Sequence, residues 1–421
     1  MHPAQTPLQG VDQARIDRST GSATVSAAAK DHCMFAQPKS PRVLLVAGTR
    51  PECLKLASLV RALRARDDCG TLLLNSGQHD EMVRRTFAHL NLYCDLNPGQ
   101  LSPMSLSHAV RALRERIRAI AHEQQASLLV AQGDTSTAYA TALAARDLGL
   151  PLAHIEAGLR TDHPYRPFPE ELFRRRIAPI AALHFAPTAL AERNLLDESI
   201  PAERIHRVGN TAIDVLREQL EGERHPALPF LPAGFADAKD LLALTLHRRE
   251  NYGRGLDIAC AAVLDVLEAQ PQLQLVCPVH PNPTVGSRIR RHLASHPRIA
   301  LVEPLDYRDF IAVLQRSRLV ITDSGGIQEE APYLGLPVLV VRENTERPES
   351  VALGCAHLVP LRHESIVGEA LRMLAQPPLP ALPFTSEAAY GDGRSGARIA
   401  ALLAQHLHRA APPVPATAAA A

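Results

Sequence analysis

Leu319-Val320-Ile321-Thr322-Asp323-Ser324-Gly325-Gly326-Ile327-Gln328-Glu329-Glu330 reads as a buried strand, a glycine turn and the opening of a helix. A short apolar run bounded by turn residues suits a parallel strand covered on both faces. At such a strand-to-helix turn, glycines let the backbone come close to a ligand. The first N–H groups of the helix lack internal partners and present partial positive charge to an anion. Glu330, about one turn into the helix, suits accepting hydrogen bonds from a ribose diol, as acids do in dinucleotide folds. The local reading is a nucleoside diphosphate with its sugar. A plain N-cap turn uses the same residue types, and on this stretch alone the two readings stand side by side.

The same pattern recurs outward from this stretch. Residues 42–47 form an apolar run ending in Gly48-Thr49-Arg50-Pro51-Glu52, with a helix expected to run through Leu63. Residues 71–75 end at Gly77-Gln78-His79-Asp80, and residues 127–131 at Gln132-Gly133-Asp134-Thr135-Ser136-Thr137, followed by an Ala-rich helix. Residues 152–155 end at Glu156-Ala157-Gly158-Leu159-Arg160-Thr161. After a proline-rich break at 226–232 the alternation restarts. Residues 241–246 lead to His247-Arg248-Arg249-Glu250-Asn251, residues 273–276 to His280-Pro281-Asn282-Pro283, and residues 338–341 to Arg342 through Glu349. Strand, polar turn and helix in repetition predict an α/β protein with two Rossmann-like, doubly wound parallel sheets. The expected boundaries are a first domain at 41–207 and a second at 208–388, between a loose leader at 1–40 and a flexible tail at 411–421. Ligands of such sheets lie beyond the carboxyl ends of the strands. Nearly every unusual polar cluster falls there, so two facing sheets would line one cleft with them.

A chain of 421 residues is long enough for two domains with their own cores. Its 45 basic and 44 acidic residues nearly cancel, which gives no support to nucleic acid or an anionic membrane as partner. The short basic clusters at 174–176 and 288–291 read as solvated helix faces. Seven cysteines without a Cys-x-x-Cys pair fit reduced thiols in a cytoplasm, not a disulfide framework or a structural zinc site. No apolar run approaches the ~18 residues that span a bilayer, and the N-terminus has no apolar signal core.

Three acids sit at or after strand ends in the first half: Asp134, Glu156 and Glu170, the last followed by Glu171. Each alone is compatible with an Asx turn or a helix cap. Around a diphosphate they would need cations, and Arg50, Lys55, Arg160, Arg174, His247 and Arg347 are at hand. Of these only His247 changes charge near neutral pH. Neither half carries G-x-G-x-x-G or a P-loop, so nicotinamide and ATP chemistry lack their usual marks. No spacing indicates a catalytic metal.

Taken in order, GTRPE (48–52), QH (78–79), GDT (133–135), HIEAGLRT (154–161), PFPEE (167–171), HRREN (247–251), HPNP (280–283), DSGGIQEEAP (323–332), TERPE (345–349) and YGDG (390–393) resemble the non-hydrolysing UDP-N-acetylglucosamine 2-epimerases across residues 42–407. The resemblance implies a glycosyltransferase-B (GT-B) arrangement of the two domains, a homodimer, a UDP-sugar as partner, and neither metal nor redox cofactor. It matches Asp134, Glu156, Glu170 and His247 to catalytic positions. Arg50, Lys55, Arg174, His280, Ser324, Gly325, Gly326, Glu330 and Arg347 match positions around the UDP and the sugar. Gln78 and Gln100 fall where bacterial members hold a second, activating UDP-sugar. Leu172-Phe173 depart from the family, which has a small residue and then Asn there.

The implied chemistry has a physical difficulty. The hydrogen at C2 of N-acetylglucosamine has no adjacent carbonyl to acidify it, so a carboxylate cannot remove it outright. If UDP leaves C1 in the same step, positive character at C1 makes that proton far more acidic. Cations and the helix start at 324–326 would then stabilise the departing diphosphate. Re-addition of UDP to 2-acetamidoglucal, with protonation on the opposite face, inverts C2. Two faces must be served, which asks for more than one acid–base group. The glucal must not escape, so cleft closure is expected, hinged near residues 206–212 and where a C-terminal helix at 389–410 crosses back to the first domain. Three rivals use the same frame: a hydrolysing 2-epimerase, a retaining GT-B glycosyltransferase and a UDP-sugar sensor without turnover.

Overall fold

A computed structural model describes residues 40–161, 163–221, 228–235, 240–246, 248 and 252–410. Its first sheet contains β1 (Arg42–Ala47), β2 (Gly70–Asn75), β3 (Leu128–Gln132), β4 (Leu152–Ile155), β5 (Leu183–Ala186) and β6 (Ile205–Arg207). These six strands are parallel and lie in the order β2-β1-β3-β4-β5-β6. Its helices are α1 (Arg50–Arg64), α2 (Asp80–His89), α3 (Leu106–Glu123), α4 (Ser136–Leu148), α5 (Glu170–Ile177), α6 (Ala189–Asp197) and α7 (Thr211–Leu220).

The second sheet, also six parallel strands, contains β7 (Leu241–Thr245), β8 (Gln274–Pro278), β9 (Ile299–Val302), β10 (Ser317–Thr322), β11 (Val338–Val341) and β12 (Ala356–Val359). Their order is β12-β11-β10-β7-β8-β9. With them run α8 (Arg254–Ala269), α9 (Pro283–Leu293), α10 (Tyr307–Gln315), α11 (Gly325–Leu334), α12 (Pro348–Ala352), α13 (His363–Leu374) and α14 (Ser395–Ala410). Two Rossmann-like halves are therefore present, as the alternation of strands and helices predicted, in the GT-B-type arrangement that the family resemblance implied. Among the described residues no helix is long and apolar enough to cross a membrane.

The strands read from the sequence occur within one or two residues of their expected bounds. Four others, β5, β6, β9 and β12, went unread. They are only three or four residues long, and three of them carry a histidine that interrupts the apolar run. β1, β3 and β11 are buried almost throughout because helices cover both faces of each sheet.

Chain order reverses between β1 and β3 in the first sheet and between β7 and β10 in the second, and the crevices at these switch points are where ligands of such sheets sit. The β1–α1 and β3–α4 turns follow the strands of the first switch point, and the β10–α11 turn follows one strand of the second.

One apolar cluster runs from a face of the first sheet (Val43, Leu45, Val130) through residues of α1, α7 and α14 to a face of the second (Leu241, Val276, Val320, Val340). Separate clusters cover the opposite faces, with Leu44, Val46 and Leu129 in one and Leu242, Leu275 and Ile321 in the other. The chain crosses between the halves twice, and the crossings touch. Gly209 and Gly391 have φ of +91° and +94°, and a Cβ on Gly391 would lie 3.0 Å from the Gly209 Cα. Asn210 N–H donates to the Tyr390 carbonyl at 2.8 Å. Asp214 on α7 accepts the Ser395 and Gly396 N–H groups at 2.9 and 2.7 Å, capping α14 and directing it along α1.

Gly396 is where α14 approaches α1 most closely: a Cβ there would fall 2.5 Å from Ser58 Oγ and 2.7 Å from the Leu59 backbone nitrogen. Gly396→Ala should cost about 1–3 kcal/mol by overpacking, read as a lower urea midpoint at unchanged slope. A wild-type midpoint would mean that α14 is not seated this tightly.

Candidate active site

The first switch point is fastened by a carboxylate. Glu52, fully buried, accepts Gly48 N–H at 2.8 Å and the Thr49 hydroxyl at 2.9 Å on one oxygen, and the Thr135 hydroxyl at 2.5 Å on the other. It thereby ties the β1–α1 turn, which carries Arg50, to the β3–α4 turn, which carries Asp134. Burial pushes its carboxyl up to about 7 in spite of these bonds. A Cβ at position 48 would overlap the hydroxyls of Thr137 and Ser76, so only glycine admits this approach.

The acids read from the sequence do converge here. Glu156, immediately after β4, has φ +63°, a left-handed conformation that non-glycine residues rarely adopt outside strained or functional positions. One of its oxygens is shared by Lys55 Nζ and, at 3.2 Å, by Arg347 Nη2; the other accepts from the Gln132 amide. Asp134 pairs with Arg174 at 2.5 Å. Glu170 opens α5, and burial, reinforced by Asp134, raises its carboxyl. Its Oε2 has no hydrogen-bond partner among the described residues.

From the second half, two further carboxylates meet the same cations. Glu329 receives Arg347 Nε at 2.6 Å and lies 3.1 Å from Lys55 Nζ. Glu346 pairs with Arg347, with Arg342 at 3.0 Å, and with Arg248 and Arg174 at 3.5 and 3.8 Å. Thus Lys55–Glu329, Glu156–Arg347 and Arg174–Glu346 join the two halves across the cleft. Burial alone would lower Lys55, Arg174 and Arg347, but the carboxylates outweigh it and raise all three. Burial alone would raise Glu329 and Glu346, and the cations outweigh that too, leaving both lowered. Of the basic cluster at 174–176, Arg175 and Arg176 are exposed as expected, but Arg174 is 4% exposed and lies inside this network.

A second group lies around Glu330, whose Oε1 accepts the buried Tyr307 hydroxyl at 2.9 Å. Burial raises Glu330 to about 7. Arg50 is half-buried, and burial lowers it in spite of the opposing pull of Asp306, Glu330 and Tyr307. Ser324 is the N-cap of α11 and makes no side-chain cap bond. A Cβ at Gly325 would strike the Arg347 guanidinium at 2.5 Å, whereas one at Gly326 would meet nothing within 4 Å. The helix start is thus lined by Arg347 on one side and open on the other.

Other expected residues stand apart. Gln78 accepts the N–H and hydroxyl of Thr137 at 3.2 and 2.8 Å, and Gln100 accepts Asp80 N–H at 2.8 Å while donating to the Gln78 carbonyl at 3.1 Å. Both brace loops of the first half. His280 accepts Asn282 N–H at 3.1 Å in the β8–α9 turn. Arg160 is taken up by Glu198 at 2.6 Å. His247 lies outside the described residues; beside it, Arg248 donates its backbone N–H and Nε to Asp323, each at 2.9 Å. Glu52, Tyr307, Glu329 and Glu346 were not singled out from the sequence. The one available signal for the last two was their adjacency to Glu330 and Arg347.

A pair of parallel sheets with acids and cations facing across the strand ends defines a GT-B-type α/β protein, and comparison with known proteins bears on it directly. The profile of the UDP-N-acetylglucosamine 2-epimerase family matches residues 61–404. A probable UDP-N-acetylglucosamine 2-epimerase of Ralstonia nicotianae is 39% identical over 85% of this chain and 97% of its own. The UDP-N-acetylglucosamine 2-epimerase of Bacillus subtilis is 37% identical over 87% and 96%. Among solved structures, the Neisseria meningitidis UDP-GlcNAc 2-epimerase bound to UDP-GlcNAc superimposes with a TM-score of 0.79, at 34% identity over 86% of this chain and all of that one. A UDP co-structure from S. aureus gives 0.79 at 32% identity over 87% and 97%. The chain belongs to the UDP-N-acetylglucosamine 2-epimerase family.

Behind Glu156, His154 on β4 and His184 on β5 are register partners and fully or almost fully buried. His154 Nε2–H donates to the Gly133 carbonyl at 2.7 Å. Burial pushes the two imidazoles down to about 4 and about 3. Unfolded histidine titrates near 6.5, so between there and the folded values the unfolded chain binds protons that the folded chain refuses. Stability from this pair is complete above about 6.5 and is lost as pH falls toward 4. Replacing His184 by Leu should therefore flatten the fall in melting temperature between pH 7 and pH 5. An unchanged slope in differential scanning calorimetry would show that the pair does not stay neutral.

Proposed function

We propose that this chain interconverts UDP-N-acetylglucosamine and UDP-N-acetylmannosamine without net hydrolysis. UDP is eliminated to give 2-acetamidoglucal and is then added back. The observation that carries this reading is the position of Glu156, on a strained turn at a strand end, sharing Lys55 and Arg347 with the opposite half. These two cations neutralise the Glu156 carboxylate. A bound diphosphate would draw them away and leave Glu156 free to act as a base. Binding of the leaving group and unmasking of the base are then one event.

Asp134 and Glu156 are the proposed proton-transfer groups, with Glu170 as their partner or a second base. Burial, reinforced by Asp134, raises the Glu170 carboxyl. Ser324, Gly325, Gly326 and Arg347 would receive the diphosphate, Glu330 the ribose, and Arg50, Lys55, Arg174 and His280 the rest of the UDP-sugar. His247 is proposed to stabilise the departing phosphate, and Gln78 and Gln100 to hold an activating UDP-sugar. The proposed working form is a cytoplasmic homodimer whose product enters polysaccharide or glycoconjugate assembly. The names of the relatives and the UDP-GlcNAc bound in the Neisseria neighbour support the substrate.

Proton NMR of the purified protein with UDP-N-acetylglucosamine in heavy water tests the reading. Deuterium should enter at C2 as UDP-N-acetylmannosamine accumulates. Release of free N-acetylmannosamine would make the chain a hydrolysing enzyme instead, and retention of the original C2 hydrogen would exclude elimination. Asp134→Asn should lower kcat by ~10²–10⁴ with UDP affinity little changed; near-normal turnover would remove Asp134 from the chemistry.

A further inference from the structure

Glu329 is nearly fully buried and belongs to the second half, yet both of its ion partners lead to the same carboxylate of the first half. Its Oε1 receives Arg347 Nε at 2.6 Å, and its Oε2 faces Lys55 Nζ at 3.1 Å. Lys55 and Arg347 in turn both contact Glu156 Oε1. Two cations are thus shared by two carboxylates, one from each side of the cleft. Glu330, the next residue on α11, turns away to Tyr307 and Arg50. Consecutive positions of one helix therefore serve separate parts of the cleft.

We infer that Glu329 is a positioning residue that sets how strongly Lys55 and Arg347 are held away from Glu156 and from the diphosphate. The inference rests on the proposed function for the role of Glu156, but its charge argument needs only that UDP binds. With Glu329 ionised, each cation is balanced from the second half and can release Glu156 without being left uncompensated in a buried site. With Glu329 neutral, the same cations would pull harder on whatever anion remains. Two effects of opposite sign follow. An anionic ligand should bind more tightly, and the base should be harder to free. A residue that merely supports the fold would weaken both binding and turnover.

The test is Glu329→Gln, which keeps the side-chain shape and one acceptor for Arg347 while removing the charge. UDP affinity by calorimetry should rise, and KM for UDP-N-acetylglucosamine fall, by about three- to tenfold, the effect of roughly one partly screened charge at this range. kcat should drop by ~10–100-fold, the loss expected when a general base is impeded but not removed. A UDP affinity that falls, or a KM that rises along with a fall in kcat, overturns the inference. So does a variant indistinguishable from wild type. If the amide variant does not fold, Glu329→Asp provides the second reading: the charge stays but is withdrawn from its partners, so kcat should fall while UDP affinity is kept or increased, and a weaker affinity again overturns the inference. Because the UDP titration needs no turnover, a wild-type chain inactive toward UDP-N-acetylglucosamine would refute the proposed reaction and leave the charge argument measurable by itself.

Discussion

The cost of burying charge governs this cleft. An isolated carboxylate or guanidinium moved from water into a protein interior loses several kcal/mol even after relaxation, so each must find a counter-charge in good geometry. Lys55, Glu156 and Arg174 of the first half, and Glu329, Glu346 and Arg347 of the second, meet that requirement with partners inside their own half and with the pairs Lys55–Glu329, Glu156–Arg347 and Arg174–Glu346 across the cleft. Such a network is a poor adhesive, because apolar side chains of the same size would do as well or better. What it provides is a set of cations already dehydrated and held in fixed positions.

The backbone makes that network reachable. Gly48 allows the two turns of the first switch point to lie against one another, and Gly325 lets Arg347 lie along the start of α11. Glu52 fastens the first of these arrangements with three accepted hydrogen bonds. Glu156 departs from the rule that non-glycine residues avoid left-handed φ, and it does so where its carboxylate must face two cations at once. The strands β1, β3 and β11 beneath these turns are buried almost throughout.

Much of this was legible in the chain itself. Runs such as Leu44-Leu45-Val46 and Leu319-Val320-Ile321 are too apolar for a solvated sheet, and the glycines and acids after them mark strand ends, so the α/β class and the location of the site follow. The strands β5, β6, β9 and β12 escaped because short segments such as Leu183-His184-Phe185-Ala186 lack a periodic signal; their burial comes from neighbours far away in sequence. For the same reason Glu329 and Glu346 were invisible as network members. A glutamate on a helix or in a loop is ordinarily solvated, and only the tertiary arrangement of Lys55, Arg174 and Arg347 makes these two interior. Arg174 was legible through the family resemblance, while the composition of its neighbourhood alone pointed outward.

The apolar cluster that passes through α1, α7 and α14 has a consequence for how the molecule comes apart. It is continuous from one sheet to the other, with Tyr390 among its members and its hydroxyl joined to Ser350 at 2.7 Å. Neither half owns a complete interior, so severing them would strand an oily seam on each. Heat or denaturant should accordingly meet a single cooperative body, not two beads on a string.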